Sequence, residues 1–261
     1  MNTALVLIAT GDYIQYVAPL LASAKQFFVP HTPVLWSDGP VPEGVDLFHF
    51  YTTKHEGFPG ATLHRYHRFL EADLSSFDQI FYCDVDMLFV APVGQEIFSD
   101  GITATLHPGF VGTVGTPERR SESRAYIPHS AKNKYFCGGF QGGKASAFLE
   151  MAKTLKENID IDASRGIVPV WHDESVYNRY LYDNPPAKVL TPEYCYPEMK
   201  PNSTNPAYYT DKWKEAGLGE LKPKLLALEK GERKDAPIVC KPPAQWSGVA
   251  FVKKHKLWKR P

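Results

Sequence analysis

Hydrophobic runs long enough to cross a membrane are missing from this sequence. The apolar run at the N-terminus ends at Thr10 and follows no basic leader, so it predicts a buried first strand rather than a signal peptide or an anchor. The formal net charge is zero, which disfavours nucleic acid or a membrane surface as the main partner. The sequence therefore predicts a soluble protein with no transmembrane segment, and we expect it in the cytoplasm.

Cysteine is also scarce. The four cysteines, Cys83, Cys137, Cys195 and Cys240, lie far apart and form no CxxC pair, which excludes zinc-knuckle spacing and a dense disulfide framework. We expect reduced, scattered thiols. Internal repeats and low-complexity tracts are missing as well. What remains is a chain of 261 residues, a size that fits one large domain better than two small ones.

Short β-rich runs alternate with segments of helical periodicity. The pattern predicts strands over residues 3–9, 33–36, 45–51, 79–84, 87–90, 102–106, 135–140 and 188–190, and helices over 13–28, 62–74, 145–158 and 174–182. The polar stretch 112–134 predicts a long surface loop, and the pattern is weak over 197–243. Strands that alternate with helices predict an α/β fold with a mostly parallel, doubly wound sheet.

An Asp-x-Asp motif, Asp84 and Asp86, directly follows one of the predicted buried strands. In an extended chain these two side chains point the same way, and they lie where open α/β sheets bind ligands, beyond the carboxyl ends of the strands. Two hard oxygen ligands suit Mn²⁺ or Mg²⁺ held jointly with a diphosphate. A bare Asp-x-Asp is common, however, and a solvated strand end is the alternative.

A second cluster, Trp171-His172-Asp173-Glu174, precedes a predicted helix. It offers a sugar-stacking indole, a hydrogen-bonding imidazole and two acids. The alternative is ordinary helix-start chemistry, with Asp173 as the N-cap and Glu174 in the first turn, where the helix dipole favours acids.

Three further segments carry weaker signals. His107 is followed by Pro-Gly-Phe, which predicts a turn at a strand end. The run 137–143 is rich in glycine, which lets backbone approach a ligand, although its spacing does not match a dinucleotide fingerprint. The basic C-terminal run 253–260 could close over a diphosphate or simply be solvated.

Taken in order, these segments resemble glycosyltransferase family 6. The matching runs are Cys83–Met87, Thr105–Phe110, Glu118–Arg120, Ala125–Pro128, Gly138–Phe140, Val170–Ser175, Lys188–Leu190 and Pro192–Tyr194. The resemblance implies a GT-A fold in a single domain, with a Rossmann-like, mostly parallel sheet flanked by helices. It implies a nucleotide-binding half over about 1–90, an acceptor and donor-sugar half over 91–196, an unmatched insertion over 197–248, and a basic tail, 249–261, that closes over the diphosphate.

The resemblance also implies a retaining α-1,3 transfer from a UDP-sugar donor to a galactoside-type glycan acceptor, with Mn²⁺ (or Mg²⁺) as cofactor. It makes Glu174 the catalytic residue and Asp84 and Asp86 the metal ligands. The residues it implies for the donor are Ile8, Thr10, Tyr13, Arg65, Asp84, Cys137, Gly138, Gly139, Asp173, Lys253 and Lys259, and those for the acceptor are His107, Trp171 and His172. A covalent glycosyl–Glu174 intermediate and same-face attack through an ion pair both give retention, and the sequence leaves both open.

Donor choice in the family follows the tripeptide that begins at Cys137. The small residues Cys137 and Gly139 leave room for an N-acetyl group, so UDP-GalNAc is favoured over UDP-Gal. Two other functions stay open. One is a UDP-sugar hydrolase or metal-dependent phosphoesterase that uses Asp84, Asp86 and His172; the other is a non-catalytic module that binds a glycan or a nucleotide.

Overall fold

The computed structural model describes residues 1–45, 49–198 and 206–229. Its strands are β1 (Thr3–Ala9), β2 (Thr32–Ser37), β3 (His49–Thr52), β4 (Gln79–Cys83), β5 (Met87–Phe89), β6 (Ile102–Leu106), β7 (Phe136–Lys144), β8 (Lys188–Leu190), β9 (Tyr196–Pro197) and β10 (Leu225–Ala227). Its helices are α1 (Val17–Phe27), α2 (Gly60–Leu63), α3 (Arg65–Phe69), α4 (Ala145–Ser164), α5 (His172–Asp183) and α6 (Pro206–Glu215).

Seven strands form the main sheet, in the order β3-β2-β1-β4-β7-β6-β8. Strands β1 to β4 are parallel, and β6 is parallel to β8, whereas β7 runs antiparallel to both of its neighbours. A mostly parallel sheet flanked by helices confirms the predicted α/β class and is the arrangement expected of a GT-A fold. The reversal at β7 was not predicted, because the direction of a strand depends on its connections rather than on its residues.

A smaller sheet joins the second half of the described chain to the first. Strand β10 pairs antiparallel with β5 and parallel with β9. The sequence predicted neither β9 nor β10, because they are only two or three residues long and show no periodicity. The segment 225–227 therefore packs directly behind the turn that carries Asp84 and Asp86.

Several helices and strands begin or end at residues other than those predicted. The predicted helix 13–28 begins as a 3₁₀ turn, Gly11–Tyr16, before α1. The predicted helix 62–74 is two short helices, α2 and α3, that meet at His64 and end at Phe69. Helix α4 runs on to Ser164, because Ile159 and Asp162 continue its buried face. The predicted strand 45–51 falls partly outside the described residues, which resume in β3 at His49.

The core lies on both faces of the main sheet. Successive residues of a strand point to opposite faces. Along β1, Ala4 and Val6 therefore pack with aromatic residues of α3 and α4, while Leu5 and Leu7 pack against α1. Burial on both faces explains why β1 reads as a continuous apolar run. No helix in the described ranges is both long and apolar enough to cross a bilayer.

The glycine-rich part of β7 serves two purposes. A β-carbon at Gly143 would lie 2.0 Å from the Gly101 carbonyl oxygen, and one at Gly142 would lie 2.3 Å from the Phe81 ring, so these glycines permit strand packing. The pairing of β6 with β7 then shifts register between Ala104 and Leu106. The bulge frees the backbone of Gly138 and Gly139 to face the site, a common use of bulges beside active sites.

Candidate active site

One buried arginine organises the site. Arg65, on α3, is 7% exposed. Its Nη1 donates hydrogen bonds to the Gly138 carbonyl at 3.2 Å and to Asp84 Oδ1 at 3.4 Å, and its Nε lies 3.2 Å from Asp173 Oδ2. A single guanidinium thus joins α3, the end of β4, the bulge of β7 and the start of α5. Because the guanidinium is planar and stays charged, it can hold several acceptors in fixed directions.

Asp84 is held from one side only. The Tyr82 hydroxyl donates a 2.5 Å hydrogen bond to Asp84 Oδ1, and the Arg65 guanidinium lies 4.7 Å from the centre of the Tyr82 ring. Both hydrogen bonds therefore end on Oδ1. The other oxygen, Oδ2, faces Gly139, where an added β-carbon would lie only 3.2 Å away. Gly139 keeps the space beside this oxygen open.

The predicted pair of acids lies in a turn rather than on an extended strand. Strand β4 ends at Cys83, and β5 begins at Met87. Asp84 has a side chain that is 34% exposed, whereas Asp86 is 6% exposed and its carbonyl accepts a hydrogen bond from the Leu228 amide. Within the described part of the chain, no group of three His, Cys, Asp or Glu residues could hold a metal ion.

Glu174 lies in the first turn of α5, and its Oε2 accepts a hydrogen bond from the Gly138 amide at 3.2 Å. Burial raises the pKa of the Glu174 carboxyl to about 7, and the charge of Asp173 adds to this effect. The Tyr135 hydroxyl and the Gly138 amide act in the opposite direction. Glu174 can therefore hold or release a proton near neutral pH.

Asp173 does not cap α5. The position before the helix belongs to Trp171, and its amide donates to Ser175 Oγ at 2.9 Å. Asp173 instead turns to Arg65 and is 6% exposed. Burial raises the pKa of Asp173 to about 6; the Arg65 charge opposes this rise, and the Asp84 charge adds to it. Asp173 thus pairs with Arg65 instead of capping the helix, while Glu174 lies in its first turn.

His172 has a strained backbone. Its φ of 49° is the one positive φ of a non-glycine residue in the described ranges. Its ring meets the ring of Phe58 edge-on at 4.5 Å, and Phe58 is 76% exposed. Backbone strain of this kind clusters at functional sites, where the surrounding structure enforces it. Trp171, beside it, exposes about half of its surface.

His107 packs against Tyr135, a neighbour of Glu174. Its Nδ1 accepts from the Gly109 amide at 3.1 Å, and its ring packs against Phe110 and Tyr135 at 4.7 and 5.8 Å. Burial lowers the pKa of His107 to about 4, so the imidazole is neutral at pH 7. The turn predicted after His107 is present as the 3₁₀ turn Pro108–Phe110, in which Pro108 and Gly109 are buried.

Tyr135 is a site residue that the sequence did not reveal. It was predicted as the first residue of a strand, but it lies just before β7, between His107 and Glu174. Its buried hydroxyl favours the ionised form of Glu174, yet it completes no well-formed hydrogen bond with any residue that the structure describes. Gly115, with a φ of 66°, admits the ring, because a β-carbon there would lie 2.3 Å from it. Only its place beside the glycine-rich run hinted at a role.

The motif Glu118-Arg119-Arg120 braces the segment before α5. Burial disfavours the Glu118 charge, but hydrogen bonds from Arg120 and from the Val170 amide hold the pKa of Glu118 at about 2. Arg120 also donates to the Val168 carbonyl at 2.7 Å. An open groove of about 530 Å³ runs past these residues; it is lined by Pro117, Glu118, Arg119, Arg120, Val168, Pro169, Val170 and His172.

The donor residues that the resemblance implies near the N-terminus, Ile8, Thr10 and Tyr13, are only partly together. Ile8 and Thr10, at the end of β1, line one small cavity; its other walls are Thr53, Lys54, Glu56, Ala61, His64 and Arg68. Tyr13 lies on the neighbouring 3₁₀ turn, 40% exposed, and is not among those walls. Lys253 and Lys259 lie outside the described residues. The structure therefore brings Arg65, Asp84, Gly138, Asp173 and Glu174 into one cluster.

Fold and cluster together define an α/β protein of GT-A type, with acidic side chains gathered at the carboxyl end of β4. The sequence model of glycosyltransferase family 6 matches residues 64–213, and the chain belongs to this family. It is similar to histo-blood group ABO system transferase 1 of Rattus norvegicus, with 34% identity over 209 residues, which covers 74% of this chain and 60% of that protein.

Two globoside alpha-1,3-N-acetylgalactosaminyltransferases are similar as well. The Homo sapiens protein is 30% identical over 217 residues, which covers 74% of this chain and 60% of the relative. The Gallus gallus protein is 29% identical over 212 residues, with 74% and 61% covered. The chain thus spans about 60% of the length of these relatives.

Proposed function

We propose that this protein is a metal-dependent, retaining glycosyltransferase that moves N-acetylgalactosamine or galactose from UDP, in α-1,3 linkage, onto a galactoside-type acceptor. The observation that carries the proposal is the position of Glu174. The Glu174 carboxylate, with a pKa of about 7, follows Asp173 in the first turn of α5, and Arg65 contacts both Asp173 and Asp84. A carboxylate that ionises near neutrality suits the reacting face of a sugar.

Asp84 and Asp86 would hold Mn²⁺ or Mg²⁺. Carboxylate oxygens are ligands of the kind such an ion takes, and two of them with no third protein ligand among the described residues would leave positions for diphosphate oxygens and water. The open side of Asp84, at Oδ2, is kept clear by Gly139. When bound, the ion would neutralise charge on the departing UDP. Arg65 already fixes the direction of Asp84 before any donor arrives.

Glu174 would act on the face of the sugar opposite UDP. In its ionised form it either attacks the anomeric carbon, giving a glycosyl ester that the acceptor then displaces, or stabilises the positive charge that develops while the acceptor enters from the side that UDP leaves. Both routes retain the anomeric configuration. The Gly138 amide holds the carboxylate in place at 3.2 Å.

Donor selection would lie in the backbone of Gly138 and Gly139. A β-carbon at Gly138 would lie 3.2 Å from Asp173 Oδ2, so a side chain here would crowd the acid implied to contact the donor sugar. Glycine at both positions, with Cys137 before them, favours a donor with an N-acetyl group. The globoside relatives are N-acetylgalactosaminyltransferases by name, which supports UDP-GalNAc over UDP-Gal.

Trp171, His172 and His107 would receive the acceptor. The half-exposed indole of Trp171 offers an apolar face of the kind that stacks on a sugar ring. The neutral imidazole of His107 can donate or accept a hydrogen bond without adding charge. Trp171 comes three residues before Glu174, and His107 packs against Tyr135, which interacts with Glu174.

The test follows release of UDP from UDP-GalNAc and from UDP-Gal, with Mn²⁺ or with EDTA, alone and with a panel of β-galactosides. We expect release that depends on Mn²⁺, increases with an acceptor and is faster with UDP-GalNAc. A rate of UDP release that no acceptor changes would instead favour the hydrolase. Binding of UDP or glycan without any release would favour the non-catalytic module.

A further inference from the structure

A glutamine is buried in the middle of the main sheet. Gln141, on β7, is 1% exposed and pairs with Tyr82 of β4 on one side and with Ala104 of β6 on the other. An apolar side chain of the same size would fill this position without desolvating an amide. A buried amide costs free energy unless its polar atoms are hydrogen-bonded, so the partners of Gln141 indicate what it does.

The Gln141 amide is bonded to the backbone of Gly138. Its Nε2 donates to the Gly138 carbonyl at 3.1 Å, and Arg65 Nη1 donates to the same oxygen at 3.2 Å. The Tyr66 hydroxyl donates to Gln141 Oε1 at 3.4 Å. Because a carbonyl oxygen only accepts, the amide nitrogen of Gln141 has to face Gly138. Gln141 thus joins Gly138 to α3, which carries both Arg65 and Tyr66.

Gly138 depends on side chains because the sheet itself does not pair it. The registers of β7 with β4 and with β6 leave out Cys137, Gly138 and Gly139. Glycine also has no side chain to restrict its backbone torsions. Yet the Gly138 amide is the donor that holds Glu174 Oε2 at 3.2 Å. The carbonyl and the amide belong to one residue, so fixing the carbonyl limits the directions in which the amide can point.

We propose that Gln141 is a positioning residue for sugar transfer: it holds the Gly138 carbonyl so that the Gly138 amide stays directed at Glu174. This role rests on the proposed function, because that function makes Glu174 the acting carboxylate. The hydrogen bonds do not depend on it. Gln141 is almost fully enclosed, so it acts through Gly138 rather than on the substrate.

Losing this support should change the charge of Glu174. Burial raises the pKa of Glu174 to about 7, and the charge of Asp173 adds to this rise. The Tyr135 hydroxyl, the Gly138 amide and the charge of Arg65 oppose it. If the Gly138 amide turns away, one opposing group is lost and the pKa of Glu174 rises further. Less of the carboxylate is then ionised at neutral pH.

The variant Gln141→Met tests this role, because it keeps the length of the side chain and removes both polar atoms. We expect kcat at pH 7 to fall about tenfold, since one buried hydrogen bond to the site is lost. The rise of kcat/KM with pH should move to higher pH. Calorimetric titration of UDP with Mn²⁺ should give a Kd near that of the wild type, because Arg65 and Tyr82 still hold Asp84.

The pKa of Glu174 can also be measured without any activity. An NMR titration of isotope-labelled glutamate carboxyls, with Glu174→Gln identifying the signal, reports it directly. We expect the pKa in Gln141→Met to exceed that of the wild type by about half a unit or more. Gln141→Asn, whose amide is too short to reach the Gly138 carbonyl, should raise the pKa in the same way and replaces Gln141→Met if that variant does not fold.

Gln79→Met is the matched control. Gln79 is a buried glutamine of β4, 5% exposed, and its Nε2 donates to the Ser99 carbonyl at 3.1 Å. It lies at the opposite end of β4 from Asp84. The same substitution there also removes a buried hydrogen bond to a backbone carbonyl. Both variants should therefore lose stability in urea, but Gln79→Met should leave the pKa of Glu174 and the pH profile in place.

The outcomes separate a positioning role from a structural one. If Gln141→Met loses stability as Gln79→Met does and keeps the pKa of Glu174 and the pH profile, the positioning role is refuted. A large loss of UDP affinity in Gln141→Met would also contradict it. A pKa of Glu174 that rises in a protein without any acceptor-dependent transfer would contradict the proposed function and leave the effect of Gln141 on Glu174 standing.

Discussion

Among the described residues, Glu174 has a single well-formed hydrogen bond, from the Gly138 amide, and it shares the start of α5 with Asp173, which is buried. At this scale each group owes its behaviour to its surroundings. Asp173 and Glu174 are neighbours in sequence, yet Arg65 pairs with Asp173 and not with Glu174. Glu174, which forms no ion pair within the described part of the chain, is thus the acid whose pKa lies at about 7.

Replacing Glu174 with Gln keeps the shape of the side chain and removes its negative charge. We expect transfer to fall by about a hundredfold or more, the scale of losing one group that stabilises a transition state. UDP binding should stay near normal, because Glu174 faces the sugar rather than the diphosphate. Steady-state kinetics and calorimetric titration of UDP measure the two effects, and near-wild-type turnover would contradict the role of Glu174.

The pKa of Glu174 predicts the pH dependence of the reaction. The folded pKa of Glu174, about 7, is raised above the ordinary 4.5. Below pH 7 the carboxyl is therefore mostly protonated and cannot act as an anion. We expect kcat/KM to rise with pH through about 7 and then level. The same shift means that the stability this group contributes at low pH is lost as pH rises through 7.

The variant Tyr135→Phe tests the source of that pH dependence. It removes a hydroxyl that favours the ionised carboxylate, so the rising limb should move to higher pH while the ring keeps its packing. Tyr182→Phe, on the exposed face of α5, is the matched control and should leave the profile in place. An unchanged limb in Tyr135→Phe would show that this hydroxyl does not act on Glu174.

At the scale of elements, the site depends on the hydrogen bonds that join α5 to β7. Asn178, on α5, donates from Nδ2 to the Phe136 carbonyl at 2.8 Å, and its Oδ1 accepts from the Phe136 amide at 2.9 Å. One buried side chain therefore satisfies both backbone groups of Phe136 and aligns the start of α5 with Gly138. Glu174 reaches the Gly138 amide because this alignment is fixed.

Asn178→Leu should remove both hydrogen bonds between α5 and Phe136. It leaves the amide and carbonyl of Phe136 buried without partners, which should lower the free energy of unfolding by about 2 kcal/mol or more. Transfer should also fall, because Glu174 loses its register with Gly138. Asn184→Ala, at the exposed end of the same helix, should change little. Urea unfolding and kcat measure both effects, and equal stability of the two variants would contradict this account.

Element prediction from the sequence followed periodicity and failed where periodicity is absent. Strands β1, β6 and β8 have the predicted bounds, because each is a compact apolar or β-branched run. The predicted helix 62–74 is broken at His64, and β7 extends four residues beyond its predicted end at Phe140. Glycine carries no periodic signal, so pairing with β4 and β6 decides how far β7 continues.

On the scale of the whole molecule, the site lies where separate parts of the chain converge. The turn after β4 contributes Asp84 and Asp86, α3 contributes Arg65, and β7 and α5 contribute the rest. The small sheet covers the back of that turn, since β10 pairs with β5. Ligands that bridge these elements should therefore stabilise the entire fold.

UDP and Mn²⁺ together should raise the thermal unfolding midpoint more than either alone. At a ligand concentration a hundred times Kd, binding adds about 2.7 kcal/mol, or about 5 °C for a chain of this size. EDTA should remove most of the shift. In Asp86→Asn the contribution of Mn²⁺ should shrink, and an undiminished Mn²⁺ effect there would remove Asp86 from the metal site.

The sequence by itself determined the fold class, the family resemblance and the chemical identity of the acids, because periodicity and short motifs are local properties of a chain. Tertiary structure decided which of those acids is paired. It showed that Arg65 lies at the centre of the cluster and that Tyr135 and Asn178 support Glu174. These facts depend on contacts between residues far apart in the chain, and burial, which sets their pKa values, exists only after the chain has folded.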